Sequence, residues 1–124
     1  MPSTANILVI EDEEQMRALL SAELADEGYD VATAASGEEG LALFDARRPD
    51  LVILDIKMAG IGGMKTLELL RERTLDVPVL LFTAYPEYKQ DFNAWASDDY
   101  VVKSSDMAPL KEKIRFHLNA RRTR

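Results

Sequence analysis

The chemistry of this sequence sits where its short apolar runs stop. Leu51-Val52-Ile53-Leu54 is wholly apolar and ends on Asp55, and Ile7-Leu8-Val9-Ile10 ends on Glu11 and Asp12. Val77-Pro78-Val79-Leu80-Leu81-Phe82 ends on the hydroxyl of Thr83, and Tyr100-Val101-Val102 ends on Lys103. Singly, each of these is ordinary, since an Asp often ends a strand or opens a turn. Jointly they describe one reaction. Carboxylates gathered in one place repel one another, and burial raises their pKa values rather than tolerating the charge. A hard divalent cation resolves the conflict. Mg²⁺ takes a few carboxylates, keeps water and recruits phosphate oxygens, whereas Ca²⁺ would want a richer oxygen cage. A lysine ammonium beside the acids would pair with one of them at rest and turn to a phosphoryl oxygen when that group arrives. A threonine hydroxyl adds a hydrogen-bond donor to the same group. Together they fit phosphoryl transfer to an aspartate, catalysed by positioning and charge neutralisation.

Such a set works only if the fold brings the run ends together. Short runs apolar on both faces and rich in branched residues read as strands inside a parallel sheet. Between them the period becomes helical. Met16, Leu19, Leu20 and Leu24 mark a first helix from Glu14, with Gly28 as its C-terminal cap. Asp30 to Ala34 is a short strand, and Ser36-Gly37-Glu38-Glu39 has the capping-box form that opens a helix carrying Leu41, Leu43 and Phe44. Residues 58–63 hold three glycines and read as an irregular loop after Asp55. Met64, Leu67 and Leu70 mark a third helix, ending near Arg71 to Arg73. Residues 86–97 read as a fourth helix, with Tyr88, Phe92 and Trp95 on one stripe. Ser105 or Asp106 caps a final helix with Pro109 in its first turn. Its buried stripe is Met107, Leu110, Ile114 and Leu118, and the sole histidine, His117, falls on the opposite, solvated face. Five strands alternating with five helices predict a single doubly wound α/β domain with a parallel sheet covered on both faces. All strand carboxyl ends then share one edge, where open α/β sheets place their ligand crevices.

Composition narrows the partners. The chain of 124 residues is long enough for one domain, and 47% hydrophobic with 30% charged residues is a globular balance. A net charge of −7 argues against a nucleic-acid surface. Absence of cysteine removes disulfides and thiol chemistry, and no run is long and apolar enough for a membrane span or a leader. The expected location is the cytoplasm. Arg121, Arg122 and Arg124 form a basic tail, read as the cation-favouring end of the last helix.

The motifs Ile7-Leu8-Val9-Ile10-Glu11-Asp12-Glu13, Leu54-Asp55-Ile56-Lys57-Met58, Leu81-Phe82-Thr83-Ala84 and Tyr100-Val101-Val102-Lys103, in this order and spacing, resemble the receiver domain of two-component response regulators. The resemblance covers residues 6–120, leaving an N-terminal extension, 1–5, and a basic tail, 121–124. It implies a flavodoxin-like (βα)5 fold with sheet order 2-1-3-4-5. By matching position, Asp55 looks like the phosphoacceptor. Glu11 and Asp12, with Asp55 and the backbone carbonyl of Lys57, look like the ligands of Mg²⁺, for which Mn²⁺ could stand in. Thr83 and Lys103 look like the phosphoryl contacts. Thr83 and Tyr100 look like the switch that couples phosphorylation to the surface of the fourth helix, fifth strand and fifth helix. The implied partners are a sensor histidine kinase or a histidine phosphotransfer protein, a downstream target or an output domain not in this chain, and a second copy on phosphorylation. No nucleic acid or membrane is bound directly. The expected reaction is the chain's own phosphorylation and dephosphorylation, not turnover of an outside substrate.

Three departures from the family pattern stand out. Glu11 replaces the commoner Asp, Ala59 a frequent proline, and Ser104 the proline of a cis peptide, so that either strain or a rebuilt loop is expected at Lys103-Ser104. Tyr85 and Lys57, each two residues past a reacting group, flank the pocket mouth and would modulate the lifetime of an acyl phosphate. Two rival readings remain. A pseudo-receiver would use the same surface without phosphate. An aspartate-nucleophile phosphatase would usually carry a second Asp where Lys57 stands. A flavin site lacks its phosphate loop.

Overall fold

The computed structural model describes residues 4–56, 60–84 and 98–122. They form β1 (Asn6–Ile10), α1 (Glu14–Asp26), β2 (Asp30–Ala34), α2 (Gly37–Ala46), β3 (Leu51–Leu54), α3 (Gly62–Arg73), β4 (Val79–Thr83), β5 (Asp99–Val102) and a C-terminal helix (Ala108–Arg122). The expected helix at 86–97 with Tyr88, Phe92 and Trp95, and the positions Lys57, Ala59 and Tyr85, lie outside the described residues. No helix among the described residues is long and apolar enough to cross a membrane.

All five strands pair in parallel in the order β2-β1-β3-β4-β5, a doubly wound, flavodoxin-like sheet. Each face carries its own core. On one, Leu8, Ile10, Leu54 and Leu81 pack under Leu41 and Phe44 of α2 and Leu67 and Leu70 of α3. On the other, Ile7, Val9, Ile53 and Leu80 meet Leu20 and Leu24 of α1 and Leu110, Ile114 and Leu118 of the C-terminal helix. Burial on both faces is why these strands read as unbroken apolar runs instead of alternating ones.

Local signals end the helices as expected, with instructive shifts. After α1, Gly28 takes φ +94, and the amides of Gly28 and Tyr29 donate to the carbonyls of Ala25 and Leu24, the Schellman arrangement. The Ser36 hydroxyl accepts from the Glu39 amide at 3.1 Å, but the Glu39 carboxylate reaches the amide of Ala35, not that of Ser36. The capping box is thus displaced by one residue. The buried face of α1 is Leu20 and Leu24 with Met16 against it, and Leu19 is exposed.

The third helix starts earlier than the glycines suggest, at Gly62. A Cβ on Gly63 would lie 2.4 Å from both Cα and O of Ile56, so this glycine is a point of backbone contact within a helix, and not a loop residue. Its buried face is likewise turned from the expected stripe. Thr66, Leu67 and Leu70 face the core and Met64 is exposed, because the Thr66 hydroxyl donates to the Gly62 carbonyl at 2.7 Å and can be buried satisfied.

His117 is not solvated as its helical position suggested. Its Nε2 lies 2.9 Å from Asp99 Oδ2, and Lys113 Nζ lies 3.2 Å from the same oxygen. Burial alone would raise the Asp99 pKa, but hydrogen bonds from His117, the Tyr100 amide and Lys113 outweigh it and hold this carboxyl below its ordinary value. Arg121, placed in the tail by its sequence, is helical and donates from Nη1 to the backbone carbonyl and to Oδ1 of Asp50. No peptide bond among the described residues is cis, so Lys103-Ser104 is trans. The loop after β5 is built locally instead, with the Ser104 hydroxyl accepting from the Asp106 amide at 3.2 Å.

Candidate functional site

Strand register brings the candidate groups together. Ile10 pairs with Leu54, so the next residues, Glu11 and Asp55, emerge side by side at the carboxyl edge. Thr83 pairs with Val102, and the Lys103 amide donates to the Thr83 carbonyl at 2.8 Å, which brings the lysine to the same edge. Oxygens of Glu11, Asp12 and Asp55 all lie within 4.8 Å of one another. Glu11 is 2% exposed, Asp55 5% and Thr83 0%, whereas Asp12 is exposed at the rim.

One lysine answers two of these acids. Lys103 Nζ lies 2.6 Å from Glu11 Oε1 and donates to Asp55 Oδ2 at 3.1 Å. Burial works against the ammonium, but the close contact with Glu11 and the charge of Asp55 outweigh it, and its pKa lies above the ordinary lysine value. Glu11 responds the other way. Burial, reinforced by the charge of Asp55, outweighs the help of Lys103 and of the Glu13 amide and pushes its carboxyl up from 4.5 to about 7. Oε2 of Glu11 accepts from the Glu13 amide at 3.0 Å. Oε1 faces the Lys103 ammonium at 2.6 Å. Three carboxylates whose oxygens lie within 4.8 Å of one another, with one ammonium between two of them, are what a hard divalent cation uses. The donor set therefore fits Mg²⁺.

Tyr100 is buried in the core on the α2–α3 face of the sheet, next to the edge that carries Thr83. Arg17, which the spacing argument passes over, holds the loop of the two acids from behind. Its Nη1 donates to the carbonyl of Glu11 at 2.9 Å and to that of Asp12 at 3.0 Å. Its only trace in the sequence is a basic residue within the first turns of a helix, the end where the dipole disfavours cations. Lys57 and Tyr85 are outside the described residues, so the assembled set is Glu11, Asp12, Asp55, Thr83 and Lys103.

Residues 7–115 match the response regulator receiver domain. The chain belongs to this family. Receiver domains of two-component response regulators are therefore its proper frame. The transcriptional regulatory protein AfsQ1 of Streptomyces coelicolor is 41% identical over 117 residues, 93% of this chain and 50% of that protein. The chain spans about half the length of such curated relatives. Among solved structures, the response regulator TrrA of Thermotoga maritima, in complex with Mg²⁺ and BeF, is 45% identical, with a TM-score of 0.88 over 92% of this chain and 99% of that one. The complex of the histidine kinase ThkA with TrrA, also from Thermotoga maritima, contains a match of 45% identity and TM-score 0.86, covering 93% of this chain and 99% of that chain.

Proposed function

We propose that this receiver domain takes a phosphoryl group onto Asp55 from a phosphohistidine of a sensor kinase or phosphotransfer protein, with Mg²⁺ held by Glu11, Asp12 and Asp55 and by the carbonyl of Lys57. The observation that carries the reading is the single ammonium of Lys103 set between Glu11 and Asp55, at 2.6 and 3.1 Å, with a third carboxylate close by. Three acids against one lysine leave a pocket short of positive charge.

In the reaction, an Asp55 carboxylate oxygen attacks phosphorus as the bond to the donor imidazole nitrogen breaks. The nitrogen keeps the electron pair, and an acyl phosphate forms. Lys103 gives up its contact with Asp55 to follow the transferred oxygens, and the Thr83 hydroxyl donates to one of them. Bound Mg²⁺ supplies charge neutralisation for those oxygens. Hydrolysis returns the carboxylate, so the chain acts on its own phosphorylation state and on no outside substrate. Thr83 and Tyr100 carry the change to the β5 surface, where a second copy or an output segment would read it. The complex of ThkA with TrrA supports a kinase partner, and the TrrA complex with Mg²⁺ and BeF supports the metal.

Intact-mass spectrometry after incubation with acetyl phosphate tests this. A gain of one phosphoryl group with Mg²⁺, absent with EDTA and in Asp55→Asn, is expected. No gain from acetyl phosphate or from a phosphorylated histidine kinase would refute it and favour a binding module that takes no phosphate.

A further inference from the structure

We infer that Arg17 is a positioning residue of the metal site, holding the main chain of Glu11 and Asp12 so that their carboxylates stay turned into the pocket. The inference rests on the Mg²⁺ reading above. Arg17 follows four consecutive acids, Glu11, Asp12, Glu13 and Glu14, and an ordinary role for a guanidinium there is an ion pair with one of them. It takes none. Among the described residues its bonds go from Nη1 to two main-chain carbonyls, those of Glu11 and Asp12, at 2.9 and 3.0 Å.

Helix geometry explains the reach. Side chains on a helix lean towards its N-terminus, so a residue early in α1 (Glu14–Asp26) points back over the preceding loop. The first intrahelical bond joins the Arg17 amide to the Glu13 carbonyl, which leaves the carbonyls of Glu11 and Asp12 outside the helix ladder. The two hydrogens of one nitrogen bind both. The loop is thereby divided: its carbonyls face Arg17, while the Glu11 side chain faces Lys103 and the Glu13 amide. Glu13 at the N-cap makes no side-chain cap bond. Placing a cation at the positive end of the dipole is unfavourable in itself, and the arrangement gains from what the cation holds.

The role has a sign that separates it from plain electrostatics. Charge alone predicts that removing a guanidinium beside a cation site tightens cation binding. Positioning predicts the opposite, because freed carboxylates must be ordered again when metal binds. The experiment is calorimetric titration of Mg²⁺ into the metal-free wild type, Arg17→Met and Arg17→Lys at pH 8, with urea unfolding of each in EDTA. Arg17→Met is expected to bind Mg²⁺ about tenfold or more weakly. Arg17→Lys, which keeps the charge but not the reach for both carbonyls, should fall between it and wild type. Mg²⁺ binding by Arg17→Met as tight as wild type or tighter would overturn the inference. If Arg17→Met does not fold, Arg17→Lys decides: weaker binding supports the role, and unchanged or tighter binding overturns it. A wild type that binds no Mg²⁺ would overturn the metal reading itself, and the positioning role with it.

Discussion

Replacing Glu11 by Gln should stabilise the metal-free protein increasingly from pH 4.5 to about 7 and leave it unchanged below that range. Burial raises the Glu11 carboxyl from 4.5 to about 7. Below the ordinary value both the folded and the unfolded chain hold this proton, and the stability linked to it is fully present. As pH rises from 4.5 towards 7 the unfolded chain ionises first, and that stability is progressively lost. With 1.36 kcal/mol per pH unit of difference between the two states, the loss reaches about 3 kcal/mol once the folded carboxyl has ionised too. Gln keeps the shape and can still accept from the Glu13 amide, yet carries no proton to lose. Urea unfolding of wild type and Glu11→Gln in EDTA, in steps from about pH 4 to 8, should therefore give curves that coincide at the acid end and part steadily to roughly 3 kcal/mol at pH 8, the variant being more stable. Adding Mg²⁺ at pH 8 should close the gap by stabilising wild type, at about 2.7 kcal/mol for a hundredfold excess over Kd. A variant less stable than wild type at pH 8, or a difference that does not change with pH, would refute the reasoning. Either result would mean that the contact with Lys103 outweighs the cost of burying the charge.

Lys103→Met should destabilise the metal-free protein by roughly 3 kcal/mol at pH 8, since it leaves Glu11 and Asp55 uncompensated. The loss should shrink at pH 5.5, where Glu11 is protonated, and urea midpoints at the two pH values check this. Gly63→Ala should lower stability by about 2 kcal/mol, because its methyl would strike the Ile56 backbone and no side chain can yield there; an unchanged thermal midpoint would contradict the close approach. Ser36→Ala should cost about 1 kcal/mol through loss of the bond to the Glu39 amide, read from urea midpoints. Asp99, whose carboxyl is held low, adds stability that is present above its ordinary value and lost as pH falls through the depressed one. Asp99→Asn should flatten that acid limb in pH-dependent unfolding.

The candidate set is legible in the sequence because its members stand at the ends of apolar runs, and a parallel sheet collects such positions at one edge. The sheet order came from the family resemblance, as no periodicity within the strands fixes it. What escaped depends on contacts between elements. Gly63 reads as loop chemistry until the Ile56 backbone is seen pressed against it. The Met64 stripe shifted because Thr66, polar by type, bonds its own helix and can be buried. Helical phase alone places His117 in solvent, but phase does not reveal that Asp99 at the start of β5 lies against it. Arg17 was unreadable for the same reason: its partners are main-chain carbonyls, which carry no letter in the sequence.

Asp50, just before β3, joins elements that are far apart in the chain. Its Oδ2 accepts from the Asn6 amide at the start of β1, and its Oδ1 and backbone carbonyl accept from Arg121 near the end of the C-terminal helix. The first strand and the last helical turn are thus tied to a single residue, at the sheet edge remote from Asp55. Both of these anchors lie at the far edge, away from the pocket of Glu11, Asp55 and Lys103. One aspartate thus clasps the first strand to the last helix, so that loosening either element would loosen the other.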